Sequence, residues 1–343
     1  MTMQKIWDLI REMTLEEKIG MIHGQGIFHT KGVERLGIPP LWMSDGPMGV
    51  RKELQDDNWA PKGTTDDYVS YLPSNTAIAC TWNRERAADM GCVLGQEARG
   101  RGKDVILAPG INLIRSPLCG RNFEYMSEDP HLISEMAVPL IRGIEEQDTA
   151  ACVKHFALNN QETRRLDVEA AVDERALREL YLPGFEAAVK EGKTKTLMGA
   201  YNRFRGEHCC HNHYLLQDIL RGEWGFDGVV ISDWGGVHDT MRAAENGLDI
   251  EMSVTSDFDQ YCMADPLAEK VRSGEVPEAL LDEKVKNILV LMDRLHMLDG
   301  VRKRGSYNTR DHQEAILKCA EEAIVLLKNE GGILPLKPVK RLA

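Results

Sequence analysis

The feature that most constrains this chain is a recurrence. Short, mostly apolar runs alternate with longer stretches whose apolar residues repeat every three or four positions. The runs fall at residues 41–43, 77–80, 105–108, 151–155, 196–200, 229–232 and 248–251, each bounded by Gly, Pro or polar residues. Runs this short, without in–out alternation, suit parallel strands buried on both faces. Helix signals lie between them. Thr14 with Glu17 reads as a capping box, in which each side chain satisfies a free N–H of the other's end. Asn83 caps a helix expected to reach about Arg99, with Ala87, Met90, Leu94 and Ala98 on one face. Asp129-Pro130 opens another, since Pro at the first helical position loses no hydrogen bond. Asp173 starts a charged amphipathic helix through Val189.

Repeated strand–helix units specify a parallel α/β sheet. Seven or eight of them favour a (β/α)8 TIM-like barrel, with room for irregularity. Such a barrel commonly takes about 250 residues, and the chain has 343. The barrel is therefore assigned to residues 1–300. Residues 277–298 and 313–327 read as further amphipathic helices. Residues 329–336 read as a turn and a short apolar segment, so 301–343 is expected to be a linker and the truncated start of a second α/β domain.

Charge narrows the partners. Lys and Arg number 42 against 54 Asp and Glu, a net −12. Such a chain gains little from phosphate backbones or anionic lipid, which argues against nucleic acid and membrane. Eight scattered cysteines in a chain too long to need staples read as reduced thiols. The N-terminus carries Lys5, Asp8, Arg11 and Glu12 rather than a signal peptide's apolar stretch. No run is long enough to span a bilayer. The expectation is a cytoplasmic protein.

In parallel α/β folds, reactive groups collect where strands end. Asp45-Gly46-Pro47 follows the first run, Arg115 and Arg121 the third, Lys154-His155 closes the fourth, Tyr201 follows the fifth, and Asp233-Trp234 the sixth. Carboxylates, cations and an aromatic face suit a sugar, whose hydroxyls need charged partners and whose C–H side packs on a ring. Plainer readings exist for each. Asp233 serves equally well as a helix N-cap, and Asp45 as a turn residue. Lys154 suits a Schiff-base lysine, as in a class I aldolase. Arg164 and Arg165 are neighbours, so at most one faces a pocket if the segment is extended. Residues 208–213 (His-Cys-Cys-His-Asn-His) offer soft ligands, but structural zinc sites space theirs more widely; a polar loop without metal is the preferred reading.

Several segments together resemble glycoside hydrolase family 3. They are Leu36-Gly37-Ile38-Pro39, Ser44-Asp45-Gly46-Pro47, residues 116–130 (SPLCGRNFEYMSEDP), Val153-Lys154-His155-Phe156, Asn159-Asn160-Gln161-Glu162, Gly199-Ala200-Tyr201-Asn202, residues 230–234 (VISDW) and residues 247–252 (GLDIEM). Residues 323–336 are similar to that family's entry into its α/β-sandwich domain. The wording looks most like the β-glucosidase branch. The resemblance implies a retaining exo-β-glycosidase that hydrolyses terminal β-D-glucosyl residues through a glycosyl-enzyme intermediate, without metal or organic cofactor. It implies Asp233 as nucleophile and Asp45, Arg121, Lys154, His155, Arg165, Met198, Tyr201 and Trp234 as substrate-binding residues. Arg121 and Arg165 are expected to lower the pKa of Asp45 and Asp233. The family's acid/base lies in its second domain, and no residue of this chain takes that role. The implied partners are β-glucosides or short β-linked oligosaccharides, with homo-oligomerisation or association with the second domain left open. A β-xylosidase or other exo-glycosidase, and a sugar- or partner-binding barrel without turnover, stay open too.

Overall fold

The structure, a computed structural model, describes residues 1–64, 68–338 and 341. Its strands in chain order are β1 (Gly24–Gly26), β2 (His29–Thr30), β3 (Met43–Asp45), β4 (Val105–Leu107), β5 (Ala150–Phe156), β6 (Thr196–Gly199), β7 (Arg203–Phe204), β8 (Glu207–His208) and β9 (Val229–Ile231). Five of them form one parallel sheet in the order β3-β4-β5-β6-β9. Met43 pairs with Val105, Val105 with Ala150, Cys152 with Thr196, and Thr196 with Val229. β4, β5, β6 and β9 are buried along their whole length. That explains their unbroken apolar runs: both faces meet core.

The arc between the sheet's edges is spanned by single pairings rather than ladders. Ser232 N–H donates to the Ile250 carbonyl at 2.9 Å, and Gly24 N–H to the Glu251 carbonyl at 2.9 Å. The antiparallel β1–β2 hairpin then returns to β3, where Met43 N–H donates to the Phe28 carbonyl at 2.7 Å. The fold is a TIM-barrel-like α/β domain with an irregular arc. Helices Arg84–Gly100, Pro130–Glu145 and Pro183–Lys190 pack side by side outside it, and Glu278–Arg294 covers β9.

The expected caps are present: Thr14 with Glu17, Asn83, Asp129 and Asp173. Several expectations change. Residues 77–80 are not a strand but lie within the helix Asn75–Cys80, capped by Ser74; a four-residue apolar run fits a buried helix turn as well as a strand. The strand expected at residues 41–43 is β3, which begins at Met43. Residues 248–251 bridge their neighbours without forming a ladder. The final helix is Arg310–Glu322, shorter than expected, and Ile324 to Leu327 emerge from it exposed. The Asn329–Gly332 turn forms, but no strand follows it among the described residues. Arg302 donates to the Asp148 carbonyl, and His312 bonds Glu97 at 2.9 Å, so residues 302–319 lie against the barrel's helices. Among the described residues no helix is long and apolar enough to cross a membrane.

Candidate functional site

At the carboxyl ends of the strands lies a cavity of about 610 Å³. All nine residues singled out from the sequence line it: Asp45, Arg121, Lys154, His155, Arg165, Met198, Tyr201, Asp233 and Trp234. Seven of the nine stand at or just past a strand's end. Asp45 closes β3, Lys154 and His155 lie near the end of β5, Met198 is in β6 with Tyr201 two residues beyond it, and Asp233 and Trp234 follow β9; Arg121 and Arg165 come from the longer segments after β4 and β5. The turn after Asp45 requires glycine. Gly46 has φ +122°, and a Cβ there would fall 1.7 Å from the Gly49 carbonyl oxygen.

Lys154 is buried between two carboxylates. Its Nζ lies 3.1 Å from Asp45 Oδ1 and 2.9 Å from Glu124 Oε1. Burial opposes its charge, but Asp45 and Glu124 more than offset this and raise its pKa above the usual lysine value. Lys154 is therefore an ammonium, not the neutral amine that a Schiff base needs. Burial likewise resists ionisation of Glu124, yet Lys154 and Arg121 hold its carboxyl at about 2. For Asp45, burial pushes upward and Lys154 pulls further down, leaving the carboxyl below its usual value. Arg51 adds a bond to Asp45 Oδ2 at 3.3 Å.

Arg121 donates to Glu124 Oε2 at 2.8 Å and to His155 Nε2 at 2.9 Å. A guanidinium can only donate, so Nε2 accepts and the imidazole proton sits on Nδ1, 3.2 Å from the Tyr125 hydroxyl. Burial, then Arg121, Lys154 and Arg165, drive the His155 pKa well below its usual value. His155 is neutral. Asp233 Oδ1 accepts the Trp234 N–H at 2.9 Å, while Oδ2 is buried without a hydrogen-bond partner, 3.7 Å from His155 Nε2. Here the sequence expectation fails. Burial pushes the Asp233 carboxyl up to about 6, and Arg121 and Lys154 only moderate the rise. Nor does Asp233 cap a helix; Asp239 caps the next one, Thr240–Glu245.

Tyr201 donates to the Trp234 carbonyl at 3.0 Å, bracing the backbone beside Asp233. Arg165 stacks 4.9 Å from the Tyr201 ring centre and bonds Glu162 at 2.8 Å, whereas Arg164 pairs outward with Asp167. Trp234 Nε1 donates to the Ile27 carbonyl at 2.6 Å. Residues 208–213 are not a polar loop: Cys209, Cys210, His211 and Asn212 are buried, Cys210 lying directly behind Gly199. Among the described residues no group of three or more His, Cys, Asp or Glu is arranged to hold a metal ion.

Sequence reasoning passed over Glu124, Phe28 and Trp59, which also line the cavity. Glu124 had a signal: it stands three residues after Arg121 inside the quoted 116–130 segment, at ion-pair spacing. Phe28 and Trp59 belong to irregular loops and had none.

A barrel-like α/β domain with carboxylates, cations and aromatics at its strand ends is the class these observations define. Residues 26–291 match the family model described as the glycosyl hydrolase family 3 N terminal domain. The chain belongs to that family. It is 46% identical over 337 residues to β-glucosidase BoGH3A of Bacteroides ovatus, covering 96% of this chain and 45% of that protein. It is 40% identical over 332 residues to an exo-α-(1→6)-L-arabinopyranosidase of Bifidobacterium longum, covering 95% and 42%. The solved structure of β-glucosidase 3B from Thermotoga neapolitana in complex with glucose matches with a TM-score of 0.89 at 37% identity, covering 97% of this chain and 48% of that one. The chain spans just under half the length of these relatives.

Proposed function

We propose that this chain carries the sugar-binding and nucleophilic half of a retaining exo-β-glycosidase acting on terminal β-D-glucosyl residues. The observation that carries the reading is Asp233 Oδ2: a buried carboxylate oxygen with no hydrogen-bond partner, facing a cavity whose other polar groups are engaged with one another. Asp233 attacks the anomeric carbon, and the electron pair of the breaking C–O bond leaves with the aglycone oxygen, which takes a proton. Water then attacks the same carbon, gives up a proton and releases the carboxylate. Asp45 accepts hydrogen bonds from sugar hydroxyls while Arg121, Lys154, His155 and Arg165 hold the ring. Met198 and Trp234 line the pocket, and Tyr201 keeps the Asp233 backbone in place.

A retaining glycosidase also needs an acid with a raised pKa. Asp45 and Glu124 are unsuited, because Lys154 keeps both ionised. The acid/base is proposed to come from outside this chain, with 1–300 as the catalytic domain and 301–343 leading to a second α/β domain. The relatives' lengths, more than twice this one, support that division. A cytoplasmic setting is proposed as well, supported by eight cysteines that are all unpaired thiols.

The test is intact-mass spectrometry after incubation with 2,4-dinitrophenyl 2-deoxy-2-fluoro-β-glucoside. Its leaving group departs without protonation, so the missing acid does not matter. The expected result is one fluoroglucosyl ester on the peptide containing Asp233. Folded protein that stays unlabelled, here and with the second domain restored, would refute the proposal. The arabinopyranosidase relative favours a second reading, a pentoside substrate; nitrophenyl β-glucoside, β-xyloside and α-L-arabinopyranoside compared side by side with the second domain restored decide between them.

A further inference from the structure

A buried carboxylate that the proposed reaction does not use joins the cavity wall to the end of the chain. Glu97 lies in the last turn of the helix Arg84–Gly100 and is fully buried. Donors reach it from two separate segments. Ser70 supplies its N–H to Oε2 at 2.8 Å and its hydroxyl to Oε1 at 2.6 Å. Asn308 N–H meets Oε1 at 2.9 Å, as does His312 Nδ1 at 2.9 Å. Burial resists ionisation, but the bonds from His312, Ser70 and Asn308 outweigh it and hold the carboxyl below its usual value. An ionised carboxylate only accepts, so His312 Nδ1 is a donor; its Nε2 meets Gln96 Oε1 at 2.8 Å.

Each segment leads somewhere. Leu72, two residues past Ser70, donates its N–H to the Met48 carbonyl at 3.0 Å. Gly49 is pressed against Ser70 itself, since a Cβ there would lie 2.6 Å from the Ser70 carbonyl oxygen. The Gly49 carbonyl abuts Gly46, and Arg51 N–H donates to the Asp45 carbonyl at 3.0 Å. Packed backbone thus connects Glu97 to the turn that follows Asp45, and Pro47 and Met48 of that turn line the cavity. On the other side, His312 stands in the first turn of the helix Arg310–Glu322, capped by Thr309. That helix carries the chain toward the second domain proposed above. An anion in a helix's last turn sits at the unfavourable end of its dipole, and burial penalises it further. Holding the helix alone does not call for such a group; holding two outside segments together does. We propose that Glu97 is a positioning residue for the sugar: it fixes Ser70, and through Ser70 the 45–51 turn and Asp45, against the linker that His312 anchors. Loosening Glu97 on either side weakens the grip of Asp45 on the sugar and leaves the attack by Asp233 unchanged. This rests on the roles proposed for Asp45 and Asp233.

Labelling by 2,4-dinitrophenyl 2-deoxy-2-fluoro-β-glucoside reads grip and attack separately, as the concentration giving half the maximal rate and as the maximal rate itself. Glu97→Gln should raise that concentration about tenfold, and Ser70→Ala and His312→Ala about threefold each, with the maximal rate kept within about twofold of the parent's. A residue that merely held the linker would not act through Asp45, and a double-mutant cycle separates the two cases. In second-order rate constant, Glu97→Gln should cost the parent about tenfold but the Asp45→Asn protein no more than about twofold, because the group it positions is already lost. Losses that multiply in full, or a fall in maximal rate at an unchanged half-maximal concentration, would overturn this inference alone. If circular dichroism shows Glu97→Gln unfolded, Ser70→Ala completes the same cycle, costing the parent about threefold and the Asp45→Asn protein next to nothing. Asp45→Asn protein that labels as fast as the parent would overturn the sugar-binding role of Asp45, and this inference with it. Parent protein that is folded yet unlabelled, here and with the second domain restored, would overturn the Asp233 reading.

Discussion

Asp45 and Asp233 are the same side chain at the ends of the two edge strands of the parallel sheet, yet their surroundings drive them apart. Asp45 has the Lys154 ammonium at 3.1 Å. Asp233 has one backbone N–H and a neutral imidazole at 3.7 Å. The guanidiniums meant to lower its pKa are committed elsewhere, Arg121 to Glu124 at 2.8 Å and Arg165 to Glu162 at 2.8 Å, so burial wins. Only the ionised carboxylate can attack carbon. Labelling by the dinitrophenyl fluoroglucoside should therefore be flat above about pH 7, half-maximal near the carboxyl's value of about 6, and fall about tenfold per pH unit below that. His155 adds no second step, being neutral throughout. A rate still near its plateau at about pH 5 would show that Asp233 has an ordinary carboxylate's acidity. Sequence could name nine residues of this cavity because most of them sit in motifs at strand ends. It could not predict the charge balance, which depends on Glu124 and Glu162 reaching the arginines first.

Among the elements, the helices Arg84–Gly100 and Pro130–Glu145 pack most closely, and glycine permits it. A Cβ on Gly91 would lie 2.1 Å from the Leu140 carbonyl oxygen, and one on Gly143 would lie 2.5 Å from that of Ala88. Both obstacles are helix backbone and cannot rotate aside. Gly→Ala inside a helix ordinarily gains about 0.5–1 kcal/mol, while overpacking costs about 1–3 kcal/mol. With contacts this short the clash should dominate, so Gly91→Ala and Gly143→Ala should each lose about 1–2 kcal/mol in urea unfolding. A gain would mean that the helices separate freely. The sequence reading placed Ala87, Met90, Leu94 and Ala98 on this buried face, and they are there. It gave Gly91 no role, because periodicity marks apolar side chains and is blind to where a side chain must be missing. The same limit explains residues 77–80. Apolar content showed burial correctly, but the choice of helix was made by Ser74, which accepts the Ala77 N–H at 3.1 Å.

At the scale of the whole molecule, the longest run of exposed apolar side chains among the described residues lies just beyond the last helix. Ile324, Val325, Leu326 and Leu327 are 80, 61, 62 and 91% exposed in succession. Fully burying four such side chains is worth on the order of 6–12 kcal/mol, whereas association costs about 4–15 kcal/mol in lost freedom. The balance is close, so pairing between copies should be weak and concentration-dependent rather than obligate. Each copy also carries a net charge of −12, which repels its partner across any interface. Salt shortens the range of that repulsion to about 8 Å at physiological ionic strength and about 3 Å at 1 M, and so should strengthen pairing. Sedimentation velocity should show a single species near monomer mass at low micromolar concentration and a rising average mass well above it, more so in high salt. The double substitution Leu326→Glu and Leu327→Glu should hold the chain monomeric across the same range, because it removes two of the four apolar groups and adds like charge on both sides of the contact. A chain that stays monomeric at every concentration and salt would mean that residues 324–327 shelter against their own barrel in solution, and the variant would then behave as the parent does.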